Sequence, residues 1–262
     1  PVQNLSDENL FLPLQQALKP GEKIKLQLQY QMQLPDQRFT GYGTSDNSVA
    51  LKYFFIVPDH FDPDNISSKK YHDIEESVNF NTFWNIHLIT DAKYYIQSNV
   101  SQSANGNFIG DLDSEPEFIL SSKEFPIIKI NSEDLNTEIK FGYPLSPQEK
   151  ENLEFFLPLH LRFIKDKLGF VPETLFISEK FRNKEDFFGN NDINVWKFNF
   201  PLFTDAEKID LDYFGIIAKK ILDESIITSK QDNHWFKNGL KSYLEIQYLE
   251  RFSILQVLTL LK

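Results

Sequence analysis

The chain has 262 residues, 41% hydrophobic and 25% charged, with 27 Lys and Arg against 38 Asp and Glu for a net charge of −11. That length buries a sizeable core and suits two domains. The acidic balance, with no basic run, argues against nucleic acid, because phosphate binding draws on clustered Lys and Arg. The absence of cysteine excludes disulfides and thiolate metal sites, and no apolar stretch reaches the roughly 18 residues of a membrane span.

The first residue is Pro1 rather than Met, with no signal-type segment after it, so the chain is expected to be a processed or excised piece. Residues 10–18 read as a helical lead-in. Lys19, Pro20, Gly21 and Glu22 form a turn by composition. The turn delivers the chain into an alternating strand, Ile24, Leu26, Leu28 and Tyr30, with Lys25, Gln27 and Gln29 facing water. A mostly apolar run over 51–57 stops at Pro58. Further short strands are expected at 83–88, 94–99, 108–110, 117–120, 126–130 and 138–141, with turn signals between them. Many short strands at this spacing argue for an antiparallel sandwich or saddle. His60, His72 and His87 stand at no metal-ligand spacing and read as surface or hydrogen-bonded residues. The sequons at Asn4, Asn65 and Asn99 carry little weight, since such triplets arise by chance.

A domain boundary is expected near residue 143. Ser146, Pro147 and Glu149 combine a capping serine, proline at the first helical position and a capping-box glutamate. The helix they open runs through Leu153, Phe156, Leu157, Leu159, His160, Phe163 and Ile164 to a stop at Gly169, with a kink or late start at Pro158. Strands are expected at 174–178 and 194–200. Thr204 and Glu207 form a second capping box, opening a helix that reaches Asp223.

That helix carries Tyr213, Ile216, Ile217 and Ile221 at helical spacing, and the segment after it carries Phe236, Leu240, Tyr243, Leu244 and Tyr248. Periodicity alone makes them an amphipathic pair. Their wording, Ile217-Ala218-Lys219-Lys220-Ile221-Leu222-Asp223 and then His234-Trp235-Phe236-Lys237-Asn238-Gly239-Leu240-Lys241-Ser242-Tyr243-Leu244-Glu245, resembles the zinc-binding helices of the M1 (gluzincin) aminopeptidases. In that family the first helix bears His-Glu-x-x-His and the second Asn-Glu-Gly-Phe-Ala-x-Tyr-x-Glu. Here Lys219, Lys220 and Asp223 stand at the His, Glu and His positions, and Asn238 at that of the third zinc ligand.

The resemblance implies a multidomain α and β architecture: an antiparallel β-sandwich or saddle domain over residues 1–143, and a partial thermolysin-like α/β domain over 144–262 that ends in the helix pair. It implies that Gly189, Asn190, Asn191 and Asp192 line a cleft, where the family has a glutamate that holds the substrate amine. It also implies a periplasmic or secreted setting.

The chemistry is another matter. Gluzincin hydrolysis needs two neutral imidazoles, a carboxylate and a general-base glutamate. An ammonium at 219 repels zinc, Asn238 is a poor ligand, and Lys220 does not accept a proton unless its pKa falls far. No His-x-x-x-His occurs among the five histidines. Zinc is therefore expected to be absent, and no catalytic, cofactor-binding or metal residue is assigned. Lys219 and Asp223, one turn apart, are expected to join Asn238 in a buried polar cluster at the former site, worth about 3–5 kcal/mol if broken on one side.

The expected function is a catalytically inactive peptidase-like module binding a peptide or protein partner. Two rivals remain. One is an active zinc aminopeptidase rebuilt from His234, Asp232, Glu224, Asp223 or Glu245; the other is a β-sandwich that binds glycans or peptides through exposed Tyr53, Trp84 or Tyr94. The apolar run at 252–261 calls for a covering surface.

Overall fold

The computed structural model describes residues 3–4, 10–14, 16–37, 41–57, 81–91, 93–103, 106–112, 114–178, 193–195, 198–200, 205–226 and 234–252. The chain divides into two compact units, Pro1–Gln33 with Ile56–Ser77, and Leu34–Phe55 with Val78–Lys262.

In the first unit, β1 (Gln3–Asn4) pairs antiparallel with β2 (Leu10–Phe11). The helix expected over 10–18 does not form. Pro13 removes a main-chain donor and restrains Leu12 away from helical geometry, so the segment cannot nucleate. The turn at 19–22 does form: the Glu22 amide donates to the Lys19 carbonyl at 3.0 Å, and Gly21 takes a φ of 83°. In return Glu22 Oε2 accepts from the Lys19 amide at 2.9 Å. Residues 23–33 then enter no helix, turn or β-ladder. The strand pattern expected there is present in sequence but has no pairing strand among the described residues.

Among the described residues the second unit is mixed α and β, with antiparallel sheets and three helices. A four-stranded antiparallel sheet is ordered β3 (Gly43–Thr44), β4 (Ser48–Leu51), β8 (Phe118–Ser121) and β6 (Tyr95–Ser98). Central β8 is buried at all four positions. β5 (Thr82–Ile86) pairs with β7 (Phe108–Leu112), setting Trp84 opposite Gly110. Val100, Phe108, Phe118 and Leu120 form the core beside them, with Phe55, Tyr94 and Ile96 packed on it. The apolar run expected over 51–57 contributes only its first residue to a strand, because Tyr53 adopts a left-handed φ of 61° that no ladder accommodates. Gly43 is required where it stands. Its φ is 121°, and a β-carbon there would lie 2.0 Å from the Pro35 carbonyl that accepts the Thr44 amide.

A three-stranded sheet follows, ordered β11 (Thr174–Ile177), β10 (Asn136–Phe141) and β9 (Ile127–Asn131), with β10 antiparallel to β9 and parallel to β11. A parallel pair needs a crossover, and α1 (Pro147–Leu168) supplies it. The capping box is as its sequence implies: Ser146 Oγ accepts from the Glu149 amide at 3.2 Å, and Glu149 Oε2 accepts from the Ser146 amide at 2.9 Å. Gly169 closes the helix at a φ of 85°. The helix runs through Pro158; the bond that proline removes falls on the carbonyl of exposed Glu154, within reach of water.

The strand expected over 194–200 is instead two, β12 (Ile193–Val195) and β13 (Phe198–Phe200). Val195 pairs with Phe198, the spacing of a tight hairpin. Thr204, the expected cap, lies outside the described residues. α2 (Asp205–Ser225) and α3 (His234–Phe252) complete the unit. The largest core joins Ile128, Ile130, Ile139 and Phe141 of the sheet to Leu157 and Phe163 of α1, Phe214 and Ile217 of α2, and Leu244 and Tyr248 of α3. No helix among the described residues is long and apolar enough to cross a membrane.

Candidate functional site

The C-terminal half of α2 turns Ile217, Ala218, Ile221 and Leu222 into the core, which leaves the intervening polar side chains at its rim. Lys219 Nζ donates to Asp223 Oδ2 at 2.8 Å, with the two side chains 30% and 33% exposed. Lys220 is buried and its Nζ lies 3.1 Å from Glu224 Oε1. From α3, Lys237 Nζ donates to the main-chain oxygen of Asp223 at 3.4 Å and lies 4.0 Å from Oδ1. Burial holds the Lys237 ammonium below its ordinary range; the Asp223 carboxylate opposes the shift and the Lys219 charge adds to it.

The expected triad of Lys219, Asp223 and Asn238 is thus met only in its first pair. That pair is part-exposed rather than buried, and Asn238 is exposed. Lys237, one residue earlier on α3, makes the contact to Asp223. Screening by water reduces an exposed i,i+4 pair to about 0.3–0.5 kcal/mol, an order below the figure for a buried one. As a zinc set these residues do not fit. The Asp223 carboxylate already faces two ammonium groups, and a divalent cation there would meet both charges.

Asp223 and Glu224 also line a cleft of about 240 Å³. Its other wall offers Asn99, Ser101, Asp111 and Ser114, with Lys140 and Thr174 from the three-stranded sheet. Asn99 is held in place: its Nδ2 donates to the Glu115 carbonyl at 3.0 Å and its Oδ1 accepts from the Glu117 amide at 2.8 Å. With its amide nitrogen engaged inward, the sequon at Asn99 does not present a glycan acceptor. Hydroxyls, an amide and carboxylates in one polar cleft suit hydrogen bonding to a peptide main chain. No histidine is among the described residues that line it. Gly189, Asn190, Asn191 and Asp192, the expected cleft loop, lie outside the described residues.

Three further polar groups are buried among apolar neighbours. Glu245 on α3 is 2% exposed and its Oε1 lies 2.7 Å from Lys241 Nζ. Its Oε2 has no hydrogen-bond partner among the described residues. Burial pushes its carboxyl up, against the pull of Lys241. His160 of α1 is fully buried; its Nε2 lies 2.6 Å from Asp210 Oδ1, and the same oxygen accepts from Tyr248 Oη at 2.8 Å. Phe156, Phe214 and Tyr248 pack around the imidazole. Burial, with the neighbouring Asp210 charge, pushes the Tyr248 hydroxyl far above the ordinary tyrosine range. Glu117 is fully buried, with Lys52 Nζ 3.7 Å from its Oε2, and Lys52 Nζ stands 5.0 Å and 5.8 Å from the ring centres of Tyr53 and Tyr42. Burial also raises the Glu115 carboxyl nearby.

Sequence reasoning passed over Lys237, Asp210 and the Lys52–Glu117 pair. His160 did carry a signal, a titratable residue on the apolar face of a predicted helix.

Neither rival gains support from these placements. Among the described residues no group of three or more His, Asp or Glu side chains is arranged to hold a metal; Asp232 lies outside them. Of the aromatics proposed as a glycan platform, Trp84 packs on Phe55 at 5.4 Å, Tyr53 on Tyr42 at 5.4 Å, and Tyr94 against the core. His87 Nδ1 lies 2.6 Å from Asn107 Oδ1, an ordinary surface contact. Compared with protein-family models the chain matches none, and a search of curated proteins gives no match.

Proposed function

We propose that this chain is a non-catalytic relative of the M1 metallopeptidases that acts as a binding module for a peptide or protein segment. The observation that carries this reading is the Lys219–Asp223 ion pair at 2.8 Å, with Lys237 approaching the same carboxylate from the next helix. The positions that would present two imidazoles and a carboxylate present an ammonium, a carboxylate and an amide instead, in Lys219, Asp223 and Asn238, and the ammonium and carboxylate pair with each other. Such a set lacks both a Lewis-acid cradle and a general base. The adjoining cleft keeps hydroxyls for a peptide main chain in Ser101, Ser114 and Thr174. A thermolysin-like domain over 144–262, with the sandwich or saddle before it, belongs to the same proposal.

The test has two arms on one preparation purified without chelator. Metal content is measured by mass spectrometry beside aminopeptidase turnover with added zinc, and binding of a defined set of synthetic hexapeptides is followed by saturation-transfer NMR. The expected result is sub-stoichiometric zinc, no turnover, and peptide signals that vanish in Ser101→Trp, which fills the cleft. One equivalent of zinc per chain with turnover would overturn the reading, as would peptide signals indifferent to the filled cleft.

A further inference from the structure

The cleft beside α2 carries an uneven charge. Its described lining holds three carboxylates, Asp111, Asp223 and Glu224, and one cation, Lys140. Most of these charges are already matched. Asp223 faces Lys219 and Lys237, Glu224 Oε1 lies 3.1 Å from Lys220 Nζ, and Lys140 Nζ lies 3.6 Å from Glu138 Oε1. Asp111 is the exception. It is exposed on β7, and no hydrogen bond or ion pair among the described residues holds its carboxylate.

Two further features of the wall call for a ligand of defined chemistry. Asp223 and Glu224 stand in the last turn of α2, which has no basic residue there. That end of a helix carries the negative pole of its dipole, so carboxylates are disfavoured on it and a cation in front of it is favoured. Ser98, also in the lining, is 5% exposed; its Oγ accepts from the Val100 amide at 3.0 Å, and its own hydroxyl hydrogen has no acceptor among the described residues. A buried donor left open onto a cleft needs an acceptor from outside, and a peptide carbonyl supplies one. At about 240 Å³ the cleft is smaller than the about 300–1,000 Å³ of pockets for drug-sized ligands. It has the room of one long side chain and the carbonyl beside it.

We propose, resting on the reading of this cleft as a peptide site, that it takes an arginine or lysine side chain of the bound segment with Asp111 as the counter-ion. A cation placed at Asp111 displaces no existing ion pair, whereas one placed at Asp223 would compete with two lysines. Acetylated and amidated hexapeptides of alanine, with arginine, citrulline or glutamate at the third position, separate charge from shape. Citrulline is the neutral isostere of arginine, and neither blocked terminus is charged. Dissociation constants are measured by titration calorimetry on the full chain.

The arginine peptide should bind at least about tenfold tighter than the citrulline peptide, the scale of a hydrogen bond to a charged group. The gap should narrow as salt rises. In Asp111→Asn the arginine peptide should fall to the citrulline level while the citrulline peptide keeps its affinity, which separates a lost counter-ion from a lost fold. Equal affinity for all three peptides would leave the peptide site standing and overturn the cationic preference, as would an arginine advantage undiminished in Asp111→Asn. Binding of none of the three would overturn the peptide site itself, and its charge preference with it.

Discussion

A β-carbon on Gly215 would lie 2.6 Å from Glu245 Oε1 and 3.7 Å from Lys241 Cε. The buried glutamate of α3 therefore rests against a glycine of α2, and its carboxylate occupies the space a side chain at 215 would need. Gly215→Ala should destabilise the fold. Overpacking costs about 1–3 kcal/mol, offset by the roughly 1 kcal/mol that alanine gains over glycine within a helix. Thermal unfolding should show a lower midpoint for Gly215→Ala in the wild-type background. In a Glu245→Ala background the same substitution should be neutral or stabilising, and equal costs in both backgrounds would remove the contact as the cause.

The same glutamate sets a pH dependence. Its folded carboxyl is raised, burial outweighing Lys241, so the folded state holds this proton more tightly than the unfolded chain. The linked stability is fully present below the unfolded glutamate value of about 4.3 and is lost as pH rises through the raised folded value. Urea midpoints of wild type and Glu245→Gln should therefore diverge as pH climbs from that value, wild type losing ground, and run parallel at higher pH. A gap that does not change with pH would mean the carboxylate is solvated after all.

Lys52 lies 3.7 Å from the carboxylate of Glu117, whose oxygens have no hydrogen-bond partner among the described residues. Lys52→Met strands Glu117 in the core, and removing one side of a buried pair costs about 3–5 kcal/mol. Lys52→Met with Glu117→Gln should recover most of that loss, measured by denaturant unfolding of both variants. A small cost for the single substitution would show that water reaches Glu117.

Local signals were the legible part of this fold. Ser146, Pro147, Glu149 and Gly169 fixed both ends of α1 because capping chemistry acts within four residues. The runs expected at 126–130 and 138–141 fall on β9 and β10, each of which buries one face. What the sequence hid depends on partners distant along the chain. Nothing near residue 24 says whether its strand finds a ladder, and nothing near Tyr53 announces its left-handed φ. At the candidate site the Lys219–Asp223 pair follows from i,i+4 spacing. The choice of Lys237 over Asn238 depends on how α3 is rotated against α2, which a motif comparison does not contain.

Tyr248 should stay protonated far into the alkaline range, since burial and the Asp210 charge both disfavour the phenolate. Alkaline absorbance titrations of wild type and Tyr248→Phe should superimpose until the fold is lost, because the missing residue contributes no phenolate signal before then. A reversible difference between the two curves under folded conditions would show Tyr248 ionising in place. Its hydroxyl also donates to the oxygen that faces His160. Tyr248→Phe should cost about 1.5–3 kcal/mol, the range for a hydrogen bond to a charged group.

The Lys219–Asp223 pair itself should matter little, and its neighbour more. Lys219→Ala should cost about 0.3–0.5 kcal/mol, as part-exposed i,i+4 pairs do. Asp223→Ala should cost more, because it also removes the carboxylate that opposes the desolvation of Lys237. A lysine held below its ordinary range is harder to protonate folded than unfolded, so this group's contribution to stability rises with pH until the unfolded lysine, at about 10.4, has also lost its proton. The Asp223→Ala penalty should therefore be largest near neutrality and shrink toward pH 10. In a Lys237→Met background, where no ammonium needs that carboxylate, the pH-dependent part should disappear. A penalty that persists unchanged in Lys237→Met would place the role of Asp223 with Lys219 alone.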